Sequence, residues 1–307
     1  MSATDAPAPT TSATVRRVLR RLLVANLAVV VAKALAGWWA GSLAVLSDAV
    51  HSLTDAANNL VGIWLIRAAA KPPDREHPYG HAKLEPIGAF VVSAVMGVVA
   101  YEIGREAVLR LWAGATVSLA LTPLTFAVML GTLAVNLLVV WYERRAGQQL
   151  GSPFLLADAQ HTLSDVYVTV GVLVGLVGMW FGWTWLDPVV SLAVVAAVGW
   201  GAYHVLVTAI NELMDTAAVE DERLIALARQ HPDVVEVRHV RSRGRGAYGF
   251  AELTLVFRHD DLRRAHATSD LLETQIRQMY GLAHITIHLE PAEVRTPGDV
   301  KAEELSA

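Results

Sequence analysis

The chain has 307 residues, 54% hydrophobic and 18% charged, with a mean hydropathy of +0.40 and a formal net charge of −4. That balance excludes an ordinary soluble protein and fits a polytopic membrane protein with a soluble part; the mild charge gives no footing for a nucleic-acid partner. There is no cysteine, so disulfides and thiolate ligands are excluded and any metal must be held by His, Asp, Glu, backbone or water.

In chain order, residues 1–14 are rich in Ala, Pro, Ser and Thr and read as a disordered tail. Arg16, Arg17, Arg20 and Arg21 then precede an apolar run over 22–40 that ends on Trp38 and Trp39. The run is too long for a cleaved signal peptide, and its end reads as an interfacial belt, so it predicts a first spanning helix. Lys33 lies inside it, either snorkelling or paired within the bundle. Further spans are predicted over 42–67, 86–108, 121–142, 153–181 and 186–210, with a polar, breaker-rich loop over 71–83 and a short loop opening at Glu143, Arg144 and Arg145. Six transmembrane helices within 15–214 put both termini on one side. Basic residues cluster in the N-terminal segment, the second-to-third loop and the fourth-to-fifth loop, which places that side in the cytoplasm.

From Asp215 the character changes. Residues 219–231 and 262–280 read as helices, and 234–241, 248–257 and 284–289 as strands. The order αββαβ predicts a cytosolic α+β domain over 215–291, with helices on one face of a three-stranded sheet. Residues 292–307 read as a second disordered tail.

Two stretches carry the chemistry. Residues 48–55 and 158–165 both read D-A-x-H-[ST]-L-[ST]-D. In each, the His and the last Asp are four residues apart, which on a helix puts both on one face, one turn apart. Ionisable groups at that depth in a membrane are costly and mark function by default. His51, Asp55, His161 and Asp165 together would offer two imidazoles and two carboxylates, a tetrahedral set for a divalent metal such as zinc. A single copy could be a core ion pair between helices; two near-identical copies favour a shared site. Asp48 and Asp158 lie seven residues before the ligand carboxylates, as auxiliary ligands at a pathway mouth or as capping and interhelical bonding groups. Asn58 and Asn59 read as interhelical hydrogen-bond formers.

With six spans, HxxxD in the second and fifth, the sequence H-P-Y-G-H-A-K-L-E over 77–85 and an αββαβ domain, the chain resembles the cation diffusion facilitators, a family of divalent-metal exporters. The resemblance runs over about 20–291. It implies a homodimer that exchanges metal for protons, with a ferredoxin- or metallochaperone-like cytosolic domain. It implies a transport site at His51, Asp55, His161 and Asp165, and a second site in the loop at Asp74, His77 and His81. It implies cytosolic metal at the dimer interface on His239, His266, His288 and Glu290, with His284 on the same strand face. Thr254 stands where the family often has His, and Glu290 where it has Asp, so a reduced site is expected there. Lys83 and Asp215 match a charge interlock across the dimer. Some relatives carry Asp at the position of His51 and accept cadmium as well as zinc.

The implied function is efflux of a divalent cation, foremost Zn2+, by alternating access in a plasma (inner) membrane, with Zn2+ also the ion of any regulatory site. Zinc binds neutral imidazole and ionised carboxylate, so uptake releases protons and reprotonation of histidine helps eject the ion. Iron(II), cobalt(II) or manganese(II) are the alternative cargoes. An intramembrane metalloenzyme is disfavoured, since four protein ligands close the site and no HExxH occurs. A metal sensor or scaffold that has lost transport is the remaining rival.

Overall fold

The computed structural model describes residues 10–40, 43–113, 123–183, 185–245 and 248–292. Of the expected tails over 1–14 and 292–307, residues 1–9 and 293–307 lie outside the described residues. The chain divides into two compact units, Ala8–Leu213 and the part from Met214 onward.

The first unit is helical: α1 (Thr10–Ala40), α2 (Leu43–Ala69), α3 (Leu84–Ala113), α4 (Pro123–Leu150), α5 (Pro153–Trp180) and α6 (Leu186–Leu213). At 1.5 Å per residue each is roughly 40 Å or more, sufficient for a bilayer core. By length and composition α1, α3, α4 and α6 are apolar enough to cross a membrane. The other two, α2 and α5, are 27 and 28 residues long, and each carries one copy of the D-A-x-H motif.

Two boundaries differ most from the sequence reading. The first helix begins at Thr10, inside the expected tail, because Val15, Val18, Leu19 and Leu22 recur at helical spacing and are buried together. The loop expected from Glu143 is helical as far as Leu150. There Val139 and Ala146 are buried seven residues apart, and Glu143, on the same stripe, turns inward rather than to water. Helix α4 stops at Gly151, in the left-handed conformation (φ +61°), where the Ser152 N–H returns to the Gly147 carbonyl.

At the end of the bundle near the 71–83 loop, α1, α2, α4 and α5 share one apolar cluster through Leu19, Leu65, Ile66, Val139, Phe154 and Leu155. Two glycines permit the approach. A Cβ on Gly62 would stand 2.7 Å from Phe154 Cζ, and one on Gly88 would collide with Leu65. Small residues at such crossings let membrane helices pack closely. Gly62 of α2 thereby meets the Phe154 ring of α5 at this end.

The second unit contains α7 (Asp221–Ala228), β1 (Val234–Arg243), β2 (Phe250–Phe257), α8 (Leu262–Tyr280) and β3 (His284–Pro291), the expected αββαβ order. The sheet runs β1-β2-β3, with β1 antiparallel and β3 parallel to β2. Helix α8 is capped by Asp261, whose carboxylate accepts the N–H groups of Arg263 and Arg264, and it ends at Gly281 in the left-handed conformation. Its buried Ala265, Leu272 and Ile276 pack with Leu224 and Leu227 of α7 on Ala251, Leu253, Leu255 and Phe257 of β2. Both helices therefore cover one face, and the alternate residues of the strands form the other.

Candidate metal centre

The second motif lies wholly within α5. His161 and Asp165 are both half-buried and one turn apart on the same helix face. The first motif occupies the corresponding place in α2, where the side chains of Asp48, His51 and Asp55 lie outside the described residues. What surrounds the motifs is described. Ser52, beside His51, is 7% exposed and accepts a 2.8 Å hydrogen bond from Lys33 Nζ of α1, itself 4% exposed. Lys33 thus points into the bundle rather than snorkelling. Further along the same α2 face, Asn59 is buried with its Nδ2 unpartnered among the described residues.

Around α5, Thr162 Oγ1 donates to Glu143 Oε2 of α4 at 3.2 Å, and Glu143 is 1% exposed. Asp158 is buried one turn before His161. It cannot cap its helix, because Ser152 does so through Oγ to the Leu155 N–H at 3.3 Å. Ser152 is also bonded to Glu85, which ties the start of α3 to the start of α5. The sequence reading did not find Glu143. Its signal was phase: it stands four residues after Val139 and three before Ala146, on the stripe that α4 buries.

The loop residues come together. Asp74 Oδ1 is 3.3 Å from His77 Nδ1, and Asp74 Oδ2 is 3.5 Å from His81 Nε2. The two rings are 4.4 Å apart between centroids. All three can present a ligand atom within 4.8 Å of one another, a spacing found for no other such group of three or more His, Asp or Glu among the described residues. The turn explains this. Asp74 Oδ1 accepts the backbone N–H groups of Glu76 and His77, at 3.0 and 2.7 Å, and the Gly80 N–H returns to the His77 carbonyl with Gly80 at φ +83°. The His77 N–H, above all, holds the Asp74 carboxyl below the usual carboxylate range, against a smaller effect of burial. His81 is the most enclosed of the three, at 13% side-chain exposure, and its Nδ1 has no partner among the described residues.

The cytosolic residues are not gathered. His288 and Glu290 alternate on the open face of β3, joined there by His284, with Nε2 of His288 3.8 Å from Glu290 Oε1. His239 stands at a break in the β1–β2 register, between Arg238 and Arg241, with φ +46° and its side chain exposed. His266 lies on α8, which packs on the opposite face of the sheet, 3.7 Å from Asp270. Glu290 is engaged by Arg238 at 3.0 Å, and Arg238 also holds Glu236 at 2.6 Å. Thr254 is buried on β2 between Arg238 and His288 in the register. Lys83 Nζ donates to the Leu213 carbonyl at 3.1 Å, and Asp215, at φ +57°, accepts from Arg243 at 3.2 Å.

Residues 19–214 match the cation efflux transmembrane domain, and residues 218–292 match the cation efflux protein cytoplasmic domain. The chain belongs to the cation diffusion facilitator family. It is similar to an uncharacterised transporter of Synechocystis, 34% identical over 258 residues, 82% of this chain and 83% of the relative. It is also similar to the cation-efflux pump FieF of Shewanella oneidensis, 28% identical over 284 residues, 90% of this chain and 93% of the relative. Metal tolerance protein C1 of Arabidopsis thaliana is 28% identical over 297 residues, 90% of this chain and 62% of the relative. The facilitator is thus an integral membrane protein of a cation efflux family, whose members are transporters rather than enzymes.

Proposed function

We propose that this facilitator exports Zn2+ in exchange for protons, by alternating access at a site formed by His51, Asp55, His161 and Asp165. The observation that carries the reading is the repetition of one His-x-x-x-Asp pair on α2 and α5 within a cation efflux domain. Two imidazoles and two carboxylates match tetrahedral zinc better than magnesium or manganese, which take more oxygen ligands. Ligation needs neutral imidazole, so metal and proton compete for the same nitrogens. The loop group Asp74, His77 and His81 is the second metal site in this reading, on the cytoplasmic side where cargo is captured. All six helices of the first unit span the membrane, a plasma membrane, with both termini in the cytoplasm. The basic residues of the N-terminal segment and of the stretches that follow α2 and α4 support that orientation.

The cytosolic domain joins two copies into a homodimer. Lys83 bonds the Leu213 carbonyl at the end of α6, and Asp215 follows two residues on in the chain, which supports an interlock between copies. The test is zinc uptake into proteoliposomes with an imposed pH gradient. Inside-acid vesicles take up zinc faster than vesicles without a gradient. Uptake indifferent to the gradient would remove proton exchange from the reading, and no uptake of any divalent ion would remove transport.

A further inference from the structure

We propose that the cleft between the start of α1 and the end of α4 binds the headgroup phosphate of an anionic phospholipid. The cleft, about 340 Å³, is lined by Arg17 and Arg21 of α1 and by Trp141, Tyr142, Arg145 and Gln149 of α4, among others. Three arginines line it, and the lining contains no Asp or Glu. None of the three arginines has an acidic partner among the described residues. Arg21 donates to the Tyr142 hydroxyl at 3.0 Å, and the Arg145 guanidinium lies over the Trp141 ring at 5.5 Å. Both contacts orient cations without neutralising them. Like charges brought together this way repel unless an anion sits among them. Phosphate suits them, because guanidinium forks match its oxygens in pairs.

A lipid rather than a soluble anion is indicated by what lies below the cleft. From Arg17 and Arg21, steps of three and four residues along α1 lead to Val24 and Val31, both exposed. From Arg145, the same steps along α4 lead to Trp141, Leu138 and Leu130, also exposed. The two helices pack together through Val18, Leu22, Val139 and Ala146. A basic mouth therefore opens directly onto two apolar, bilayer-spanning helix faces. Trp141, 60% exposed at the junction, has the place of an interfacial aromatic. Basic pockets between membrane helices take acidic headgroups in this way, with the acyl chains along the helices.

The test is native mass spectrometry of the full-length protein in detergent with equal phosphatidylglycerol and phosphatidylcholine. Each interfacial basic residue contributes about a factor of five in affinity for anionic lipid. The wild type therefore retains phosphatidylglycerol over phosphatidylcholine by at least roughly tenfold. The cleft variant R17Q/R21Q/R145Q loses that preference, while R16Q/R20Q/R144Q, with the same loss of charge outside the cleft, keeps it. Should the cleft triple fail to fold, R17Q and R145Q alone, both at exposed positions, each show a partial loss. No preference in the wild type, or equal losses in the two triples, overturns the proposal. Displacement of the lipid by millimolar inorganic phosphate also overturns it, in favour of a soluble-anion site.

Discussion

Lys33 Nζ and Ser52 Oγ are hydrogen-bonded at 2.8 Å with both side chains buried, which sets a cation of α1 against the residue next to His51 on α2. A charged group is costly at that depth and is retained where it acts. Asp55 stands three residues after Ser52, on the same side of α2 by helical spacing. If the quartet holds the ion as proposed, a lysine so placed opposes it and favours its release. Lys33→Met is therefore expected to bind zinc more tightly and turn it over more slowly. Calorimetry on the purified protein, paired with flux at saturating zinc, checks both. Unchanged affinity and unchanged flux would leave Lys33 a packing group.

In the loop, the hydrogen bonds to Asp74 give a sign to the pH dependence. Its carboxyl titrates lower in the folded loop than in the free chain. The stabilisation it lends the turn is thus fully present above the ordinary aspartate value of about 3.9 and is lost as pH falls through the lowered one. Asp74 therefore stays ionised over the range where imidazoles ordinarily exchange protons, and a metal held by the loop as proposed would compete with protons at its imidazole ligands rather than at Asp74. Asp74→Asn keeps an acceptor for the Glu76 and His77 N–H groups but removes the charge. It should lower the zinc bound per subunit by one while leaving the fold intact, as read by metal titration and circular dichroism. Full zinc stoichiometry in that variant would exclude Asp74 as a ligand.

The open face of the cytosolic sheet makes a different prediction. Arg238 joins Glu236 and Glu290, and its hydrogen bond holds the Glu236 carboxyl below the usual range. A guanidinium on Glu290 competes with any metal for that carboxylate. Arg238→Met should raise zinc affinity at the His288–Glu290 face, an increase that Glu290→Gln added to it removes. Zinc titration of the full chain in the two backgrounds measures this. Affinity that falls in Arg238→Met would mean that the arginine shapes the site rather than blocking it.

Much of this architecture was legible in the chain. The αββαβ order followed from alternation in 250–257 and from the three-four periodicity of 262–280, which local pattern alone determines. The loop triad was legible because Asp74, His77 and His81 are close in sequence and a Gly-containing turn closes them. Glu143 was less so, because a carboxylate followed by two arginines reads as solvated; its phase on the buried stripe of Val139 and Ala146 was the local sign, and its partner Thr162 lies 19 residues on. The Arg238–Glu290 pair spans 52 residues and depends on the β1–β2–β3 register, including the break at His239, which no local pattern encodes.

The proposed quartet of His51, Asp55, His161 and Asp165 also makes a prediction about selectivity. Two imidazoles and two carboxylates with short bonds should carry zinc well and the larger cadmium poorly. Exchanging His51 for aspartate supplies a shorter ligand that can bind through two oxygens and leaves more room. His51→Asp should gain cadmium flux and retain part of its zinc flux. Equal zinc and cadmium rates in the wild type, or no gain in the variant, would put selectivity outside the quartet.

Whether the paired motifs of α2 and α5 hold the transported ion is decided by zinc flux in proteoliposomes containing His161→Ala. His161 is half-buried on the same α5 face as Asp165, and its loss leaves one ligand fewer around the ion without a buried charge gained. The variant should purify at the size of the wild type and carry no zinc above the level of empty vesicles. Zinc flux at the wild-type rate would remove His161 from the transport site.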